Sequence, residues 1–430
     1  MAGDFFARKG NKRSVFADFL QISRPIPNLN KMMQTLSPSE QFDHILAQEA
    51  HATSHLEQLA IVRAYDQLLR QYPDMAAAYQ NRSALLQQLG LYELAWRDAL
   101  KVEQLAPDFA LGHCNKAFLL NLFGRYAEGW AEYEWRWKTD VPTFSDKGWP
   151  IPRWQGEAIE AGKKLLVHAE QGFGDNIQFV RFAIEAKQRG VDLVVINHSP
   201  VENLLNYNLA HYGVETAKNG SSLGNLQAHC AMMSFPHLLG TTLDTIPFSQ
   251  GYLQAEPEFF AKFQQKVTAC CPSKRLKIGV VWAGSPKHNR DKIRSLQFAQ
   301  FARLFALNAD FHCLQKTVSE ADLAFGKRFA NLHFWYDELQ DFSDTAGLVA
   351  QMDLIISVDT SVAHLAAAMG KPTWILLTFH PDFRWLLGRN DSPWYQSVRL
   401  YRQDFAREWH AVIEQIQRDL ATFIQEQHNV

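Results

Sequence analysis

The chain has 430 residues, of which 47% are hydrophobic and 20% are charged, and its formal net charge is -2. This size and composition are typical of two or three globular domains and exclude a largely disordered chain. The near-neutral charge gives no support for nucleic acid as a bulk partner. No apolar run reaches the roughly 18 residues that a membrane-spanning helix needs, so we expect no transmembrane segment.

The N-terminal segment carries a group of basic side chains, Arg8, Lys9, Lys12 and Arg13. We predict that residues 1–38 form a poorly ordered, solvated arm; binding to an anionic membrane surface is the alternative. The apolar stretch after Arg13 is too short and interrupted for a signal peptide. The cysteines form no CxxC pair and show no His-linked metal spacing, which predicts a reduced, cytoplasmic setting and no metal site. They are Cys114, Cys230, Cys270, Cys271 and Cys313.

A 34-residue period runs through residues 39–140. Gly90 and Gly124 are 34 residues apart, and so are Tyr92 and Tyr126. This period is typical of tetratricopeptide repeats, and we predict an α-helical solenoid of about three units. Such an array offers a concave surface for a partner protein or acts as a rigid spacer, and the sequence leaves both open. We expect the aromatic run that ends the repeats to dock onto the next domain.

Residues 141–162 are predicted to be a connector, because prolines and glycines interrupt the helical periodicity there. Beyond it, an apolar strand is followed by a loop with Gly172 and Gly174 and then by a helix. This unit predicts a first Rossmann-like domain over residues 163–272. The third glycine of the dinucleotide fingerprint is missing, which disfavours a hydride-transfer enzyme.

A second Rossmann-like domain is predicted over residues 273–404, beginning with an apolar strand at 276–282. The loop after this strand carries Ser285 and several basic residues, and a cationic loop is suited to neutralising a diphosphate leaving group. Lys316 ends the next strand, and we expect it to face the same crevice. A final amphipathic helix within 405–430 is predicted to cross back onto the first domain.

Another junction in this half, over residues 353–372, leads from an apolar strand through Asp359, Thr360 and Ser361 into a helix. The unpaired N–H groups of the first helical turn, together with the helix dipole, can hold a diphosphate at such a place. His364 lies one turn further on, on the same helix face as Thr360. A plain helix cap is the alternative explanation for Asp359 and Thr360.

The pattern Asp359-Thr360-x-x-x-His364-x-Ala366-x-Ala368 resembles the donor-site signature of glycosyltransferase family 9, the heptosyltransferase-like enzymes. The resemblance covers about residues 150–402. It implies a GT-B fold, in which a nucleoside-diphosphate sugar binds between two Rossmann-like domains. The residues that it assigns to the donor are Asp359, Thr360, Ser361 and His364, with Ser285, Arg290 and Lys292 as phosphate contacts of the basic loop.

The Gly-Asp pair at 174–175 is similar to the start of the family's catalytic region. By this resemblance Asp175 is the predicted catalytic base, since glycosyl transfer needs a carboxylate that accepts the acceptor's proton. A helix cap is the alternative role for Asp175. The predicted accessory residues lie on the loop before Asp175 and in a segment after the donor motif: Glu170, Gln171, Gly174, Asp382 and Arg384.

These features predict an inverting glycosyltransferase that moves a sugar from a nucleoside-diphosphate sugar to a group on a protein or glycan. No Asp-x-Asp motif lies at a strand end, so we expect a metal-independent reaction with no cofactor beyond the donor. The repeats are expected to recruit the acceptor. The alternative is a non-catalytic scaffold, in which the repeats bind a partner and the glycosyltransferase-like part is degenerate.

Overall fold

The computed structural model describes residues 36–141, 148–272, 274–286 and 291–428. The chain divides into two compact units, Met1–Leu120 and Asn121–Val430. The predicted N-terminal arm lies almost entirely outside the described residues, and so does part of the predicted connector.

The first unit is helical where it is described. Capping boxes start the first two helices, since Ser37 and Ser54 each exchange hydrogen bonds with a glutamate three residues later. The last helix of the series ends inside the second unit. The helices are α1 (Pro38–Glu49), α2 (His55–Gln71), α3 (Ala76–Gln88), α4 (Tyr92–Leu105) and α5 (Ala110–Leu122).

The backbone conformation after two of these helices repeats with the 34-residue period of the sequence. α3 and α5 are followed by Gly90 and Gly124, whose φ angles are 74° and 78°. Glycine is favoured there because a side chain destabilises this left-handed conformation. The helical character of this region is confirmed, whereas its assignment to the tetratricopeptide class stays a prediction.

The second unit begins with α6 (Tyr126–Tyr133) and then forms a first α/β half. Its four strands are all parallel, in the order β3-β2-β1-β4. The strands β1 and β2 are almost wholly buried, as expected for a parallel sheet covered by helices. The elements are β1 (Lys164–His168), α7 (Phe173–Gln188), β2 (Leu193–Ile196), α8 (Ser199–His211), β3 (Glu215–Thr216), β4 (Leu226–Ala231) and α9 (Phe235–Leu238).

The other half of this unit contains a second parallel sheet, of six strands, in the order β10-β9-β8-β5-β6-β7. The chain runs from β5 to one edge, then returns to the middle at β8 and continues to the other edge. The elements are α10 (Pro257–Cys270), β5 (Lys277–Val281), α11 (Asp291–Arg294), α12 (Phe298–Phe301), β6 (Asp310–Cys313), α13 (Glu320–Gly326), β7 (Leu332–Phe334), α14 (Phe342–Ala350), β8 (Leu354–Val358), α15 (Ser361–Ala368), β9 (Thr373–Leu377), β10 (Val398–Arg402) and α16 (Trp409–His428). The predicted α/β organisation with parallel sheets is therefore confirmed.

The final helix, α16, packs differently from the prediction. Its buried residues Trp409, Ile416 and Leu420 join the hydrophobic core of the second half, together with strand residues such as Ile355. Burial of this apolar stripe anchors the helix on the second sheet. The predicted crossing back to the first half is thus not what holds α16 in place.

Among the residues that the structure describes, no helix combines the length and the apolar character needed to span a membrane.

Candidate functional site at the carboxyl ends of the strands

The candidate site lies where the strand order of the second sheet reverses. β5 and β8 are direct neighbours, with Val281 opposite Ser357 near their carboxyl ends. In open α/β sheets, ligands bind in the crevice outside the carboxyl ends of the strands at such a reversal. The two loops that follow these strands contain Ser285 and Asp359, which places both predicted donor segments at one crevice.

The start of α15 is capped by Thr360. The Thr360 hydroxyl accepts a hydrogen bond from the Ala363 N–H at 3.5 Å and lies 3.1 Å from the Ser357 hydroxyl. Ser361 is the first helical residue and is partly exposed. Thr360 therefore acts as the helix cap. This role is compatible with ligand binding, because one cap leaves other first-turn N–H groups available.

The start of α7 lies against the start of α15. A Cβ atom added at Gly174 would stand 3.0 Å from His364 Cδ2 and 3.6 Å from Ser361 Cα. A side chain at Gly174 would therefore require His364 to shift by a few tenths of an ångström, so the two helix starts are in close contact here. Two helix N-termini, which both favour negative charge, consequently border the same space.

Arg384 connects the two halves of this unit. Its guanidinium forms ion pairs with Asp175 of α7 and, at 2.8 Å, with Asp382 of its own loop. It also donates to the side-chain carbonyl of Gln178. The neighbouring carboxylates raise the pKa of Arg384 above its usual value despite its burial. The arginine thus carries a fixed positive charge at the junction.

Both carboxylate oxygens of Asp175 have partners. One oxygen accepts a hydrogen bond from the Gly172 N–H at 2.9 Å, which is a helix-capping contact, and the other pairs with Arg384. The Asp175 side chain nevertheless keeps 21% of its surface exposed. Because a carboxylate has about four lone-pair positions, these two contacts leave capacity to accept a further proton.

Asp359 is held from two sides. Its carboxylate accepts a hydrogen bond from the Trp385 indole N–H at 2.9 Å, and its main-chain carbonyl accepts one from Arg294 at 3.0 Å. Burial, together with the nearby Asp382 carboxylate, raises the pKa of Asp359. The ionised form of Asp359 therefore lowers the stability of the folded protein.

His364 is buried between aromatic rings. Its Nδ1 lies 3.0 Å from the Tyr395 hydroxyl, and its ring stacks on Trp385 with a 5.4 Å separation of centroids. Its Nε2 lies 3.8 Å from an Asp359 carboxylate oxygen. Burial lowers the pKa of His364 to about 3, so the imidazole is neutral at neutral pH. His364 can therefore offer a hydrogen bond to a ligand but no positive charge.

The structure describes only part of the predicted basic loop, and the role of the loop stays a prediction. Arg290 lies outside the described residues, and Ser285 and Lys292 are exposed. Among the basic loop residues that the structure describes, Arg294 reaches the donor motif, through its bond to the Asp359 carbonyl. An added Cβ at Gly284 would come within 2.4 Å of the Arg294 guanidinium, so this glycine makes room for it. The cationic character of the loop was visible in the sequence, but which base turns inward was not.

The strand predicted to run to Lys316 ends at Cys313, so Lys316 lies three residues beyond β6, and its ammonium group donates to the main-chain carbonyl of Gln340. The preceding residue, Gln315, accepts hydrogen bonds from the main-chain N–H groups of Trp282 at 2.7 Å and Ala283 at 3.1 Å. Gln315 thereby fixes the end of β5, while Lys316 holds the loop before α14.

Glu170 and Gln171, two predicted accessory residues, contact the segment that follows α6. Glu170 forms a bidentate pair with Arg136, with both N···O distances at 3.1 Å, and Gln171 donates to the Tyr133 hydroxyl. Burial raises the pKa of Glu170. These contacts agree with the predicted docking of the aromatic run, and they give Glu170 a structural role.

Two buried arginines were not singled out from the sequence. Arg136 is fully buried in its pair with Glu170. Arg181 of α7 is also fully buried and donates to the main-chain carbonyls of Pro247, at 3.1 Å, and Trp394, at 2.8 Å. The only sequence signal for Arg181 was its place on the apolar face of a predicted helix, which is unusual for arginine.

Residues 340–404 match the model of glycosyltransferase family 9, described as heptosyltransferase. The predicted resemblance to this family is confirmed over that segment. It contains Asp359, Thr360, Ser361, His364, Asp382 and Arg384, whereas Asp175 and Ser285 lie outside it.

The chain is also similar to Protein FlbA of Caulobacter vibrioides, with 27% identity over 389 residues. The similarity covers 84% of this chain and 63% of that protein, so the chain spans less than two thirds of its relative's length.

Similar solved structures include a glycosyl transferase of family 9 from Veillonella parvula, at 11% identity, with 57% of this chain and 88% of that chain covered and a TM-score of 0.42. The E. coli ADP-heptose lps heptosyltransferase II is similar at 13% identity, with 62% of this chain and 99% of that chain covered and a TM-score of 0.39.

Proposed function

We propose that this protein is a glycosyltransferase that moves a sugar from a nucleoside-diphosphate sugar to an acceptor group on a protein or glycan. The observation that carries the proposal is the meeting of two helix starts and two arginines at the strand-order reversal. The helix starts are those of α7 and α15, in contact at Gly174 and Ser361. The family 9 match over the second of these segments supports the same proposal.

The diphosphate of the donor is proposed to bind at the start of α15. Main-chain N–H groups of the first turn favour a negatively charged oxygen there. Arg294 lies next to Asp359 and offers a guanidinium, which suits two phosphate oxygens better than a point charge does. These groups would stabilise the charge that grows on the diphosphate as the anomeric C–O bond breaks.

Asp175 is proposed to act as the base. The acceptor oxygen loses its proton to the Asp175 carboxylate and forms a new bond to the anomeric carbon, while the bonding electrons leave with the diphosphate. Attack on the face opposite the leaving group inverts the anomeric configuration. Arg384 would hold the Asp175 carboxylate in position through their ion pair.

Two measurements test the proposal. Purified protein is incubated with a panel of nucleoside-diphosphate sugars, and released nucleoside diphosphate and glycosylated products are identified by mass spectrometry. In parallel, thermal unfolding is followed with each nucleoside diphosphate. A ligand present at about 100 times its Kd stabilises the protein by about 2.7 kcal/mol, which raises the unfolding temperature by about 4 °C for a unit of this size. If no nucleotide stabilises the protein and no donor is turned over, the non-catalytic scaffold is the better explanation.

A further inference from the structure

A second group of ligand-type side chains lies away from the donor crevice. Cys270 ends α10, Cys271 follows it, and His333 is the middle residue of the edge strand β7. The Cys271 sulfur is 3.1 Å from His333 Nε2 and 3.3 Å from the Cys270 sulfur. The three ligand atoms all lie within 4.8 Å of one another.

We propose that Cys270, Cys271 and His333 bind one thiophilic transition-metal ion of the Zn²⁺ type. Zn²⁺ binds thiolate sulfur at about 2.3 Å and imidazole nitrogen at about 2.0 Å. Around a tetrahedral ion, two such sulfurs are about 3.8 Å apart, and a sulfur and a nitrogen about 3.6 Å. The observed separations of 3.3 Å and 3.1 Å are each within about half an ångström of these values.

His312 has a defined place beside this site but is not a ligand. Its Nδ1 lies 3.1 Å from the Trp335 indole nitrogen. Indole N–H is only a donor, so His312 Nδ1 must be the acceptor, and the proton of the neutral ring is on Nε2. That Nε2–H lies 3.9 Å from the Cys271 sulfur and points a hydrogen-bond donor toward it. His312 is thereby placed as a hydrogen-bond donor rather than a ligand, which leaves the ion with three protein ligands.

The remaining coordination position opens toward solvent. Cys270 is exposed, whereas Cys271 is buried. The thiols precede β5 and so lie toward the amino ends of the strands, opposite the carboxyl ends where the donor is proposed to bind. The ion would tie the end of α10 to the edge strand β7. His333 lies more than 60 residues after the two adjacent cysteines along the chain, which is why no spacing pattern predicted the site.

Cobalt titration tests the site directly. The reduced, metal-free full chain is titrated with Co²⁺, and the thiolate-to-cobalt absorption band is recorded; Zn²⁺ is then added as a competitor. We expect one equivalent of Co²⁺ to produce the band and one equivalent of Zn²⁺ to remove it. Each thiol that binds loses a proton, so the apparent affinity should rise with pH.

Three variants keep the test specific. Cys270→Ser changes an exposed position, so the fold should be retained. Both Cys270→Ser and Cys271→Ser are expected to weaken Co²⁺ binding by more than about 100-fold. This loss is larger than that typical of changes outside the ligand shell. Cys114→Ser, in the helical region, should bind as the unaltered protein does. The proposal is overturned if the unaltered protein gives no thiolate-to-cobalt band, or if Cys270→Ser and Cys271→Ser leave the band and the affinity unchanged.

Discussion

The carboxylate of Asp175, on the first α/β half, is paired with the buried guanidinium of Arg384, on the second. Arg384 also holds Asp382 and Gln178, so it fixes the position of the proposed base relative to the donor motif. Moving Arg384 would therefore alter both the junction between the two halves and the contacts that position Asp175.

Replacing Asp175 with Asn should abolish sugar transfer while preserving donor binding. The amide can still cap α7 but cannot accept a proton, so kcat should fall by about 10² to 10⁴-fold. The measurement is steady-state turnover combined with nucleoside-diphosphate affinity. Asp192→Asn, at an exposed position outside the site, is the matched control and should retain full turnover. Undiminished turnover in Asp175→Asn would remove this residue from the role of base.

Replacing Arg384 with Met should destabilise the protein by about 3–5 kcal/mol, because it leaves carboxylates without their buried partner. Chemical unfolding gives the free-energy difference. The added substitution Asp175→Asn should recover part of that loss, since the two residues interact directly. Arg399→Met, which removes an exposed pair with Asp419, should cost no more than about 1 kcal/mol. Equal losses in the two arginine variants would contradict the central position of Arg384.

The order of strands and helices in the second unit could be predicted because apolar strands and helix starts are local patterns. The placement of Asp359, Thr360 and His364 at one crevice followed from the same patterns. The position of Arg384 could not, since its partners Asp175 and Gln178 are about 200 residues earlier in the chain. Lys292 and Arg294 are two residues apart, and the sequence did not indicate that Arg294 contacts the Asp359 carbonyl while Lys292 is exposed.

The surface on which the last helix packs could also not be predicted from the local sequence pattern. The amphipathic stripe of α16 predicts a buried face but not the surface that covers it. Trp409 and Ile416 pack into the core of the second half because the chain enters α16 directly after β10.

Replacing Arg294 with Gln should weaken nucleoside-diphosphate binding by about 10 to 100-fold. Hydrogen bonds to charged groups contribute about 1.5–3 kcal/mol, and Arg294 is the base that contacts the donor motif. Lys292→Gln, an exposed residue of the same helix, is the control, and its affinity should be close to that of the unaltered protein. Calorimetric titration measures both. A larger loss in Lys292→Gln than in Arg294→Gln would show that the wrong base has been assigned.

Replacing Asp359 with Asn should preserve or slightly increase stability while lowering activity. Because the pKa of Asp359 is raised, its ionised form opposes folding at neutral pH, and the amide removes this charge while still accepting the Trp385 hydrogen bond. Thermal unfolding and turnover are measured on the same preparation. A marked fall in the unfolding temperature would instead indicate that the carboxylate stabilises the fold.

His364 should make stability depend on pH in a predictable direction. Its pKa is lowered to about 3 in the folded protein, against about 6.5 for an unfolded histidine, so between these values the unfolded state binds the extra proton. The contribution of neutral His364 is present above pH 6.5 and is lost as the pH falls toward 3. From about pH 7 to about pH 5 this residue alone should lower the free energy of unfolding by about 2 kcal/mol.

His364→Gln cannot titrate at this position, so the free energy of unfolding of this variant should fall by about 2 kcal/mol less than that of the unaltered protein over the same range. His410→Gln, at an exposed histidine, should follow the unaltered protein. Parallel curves for His364→Gln and the unaltered protein would mean that the imidazole takes up a proton as readily in the folded state as in the unfolded one.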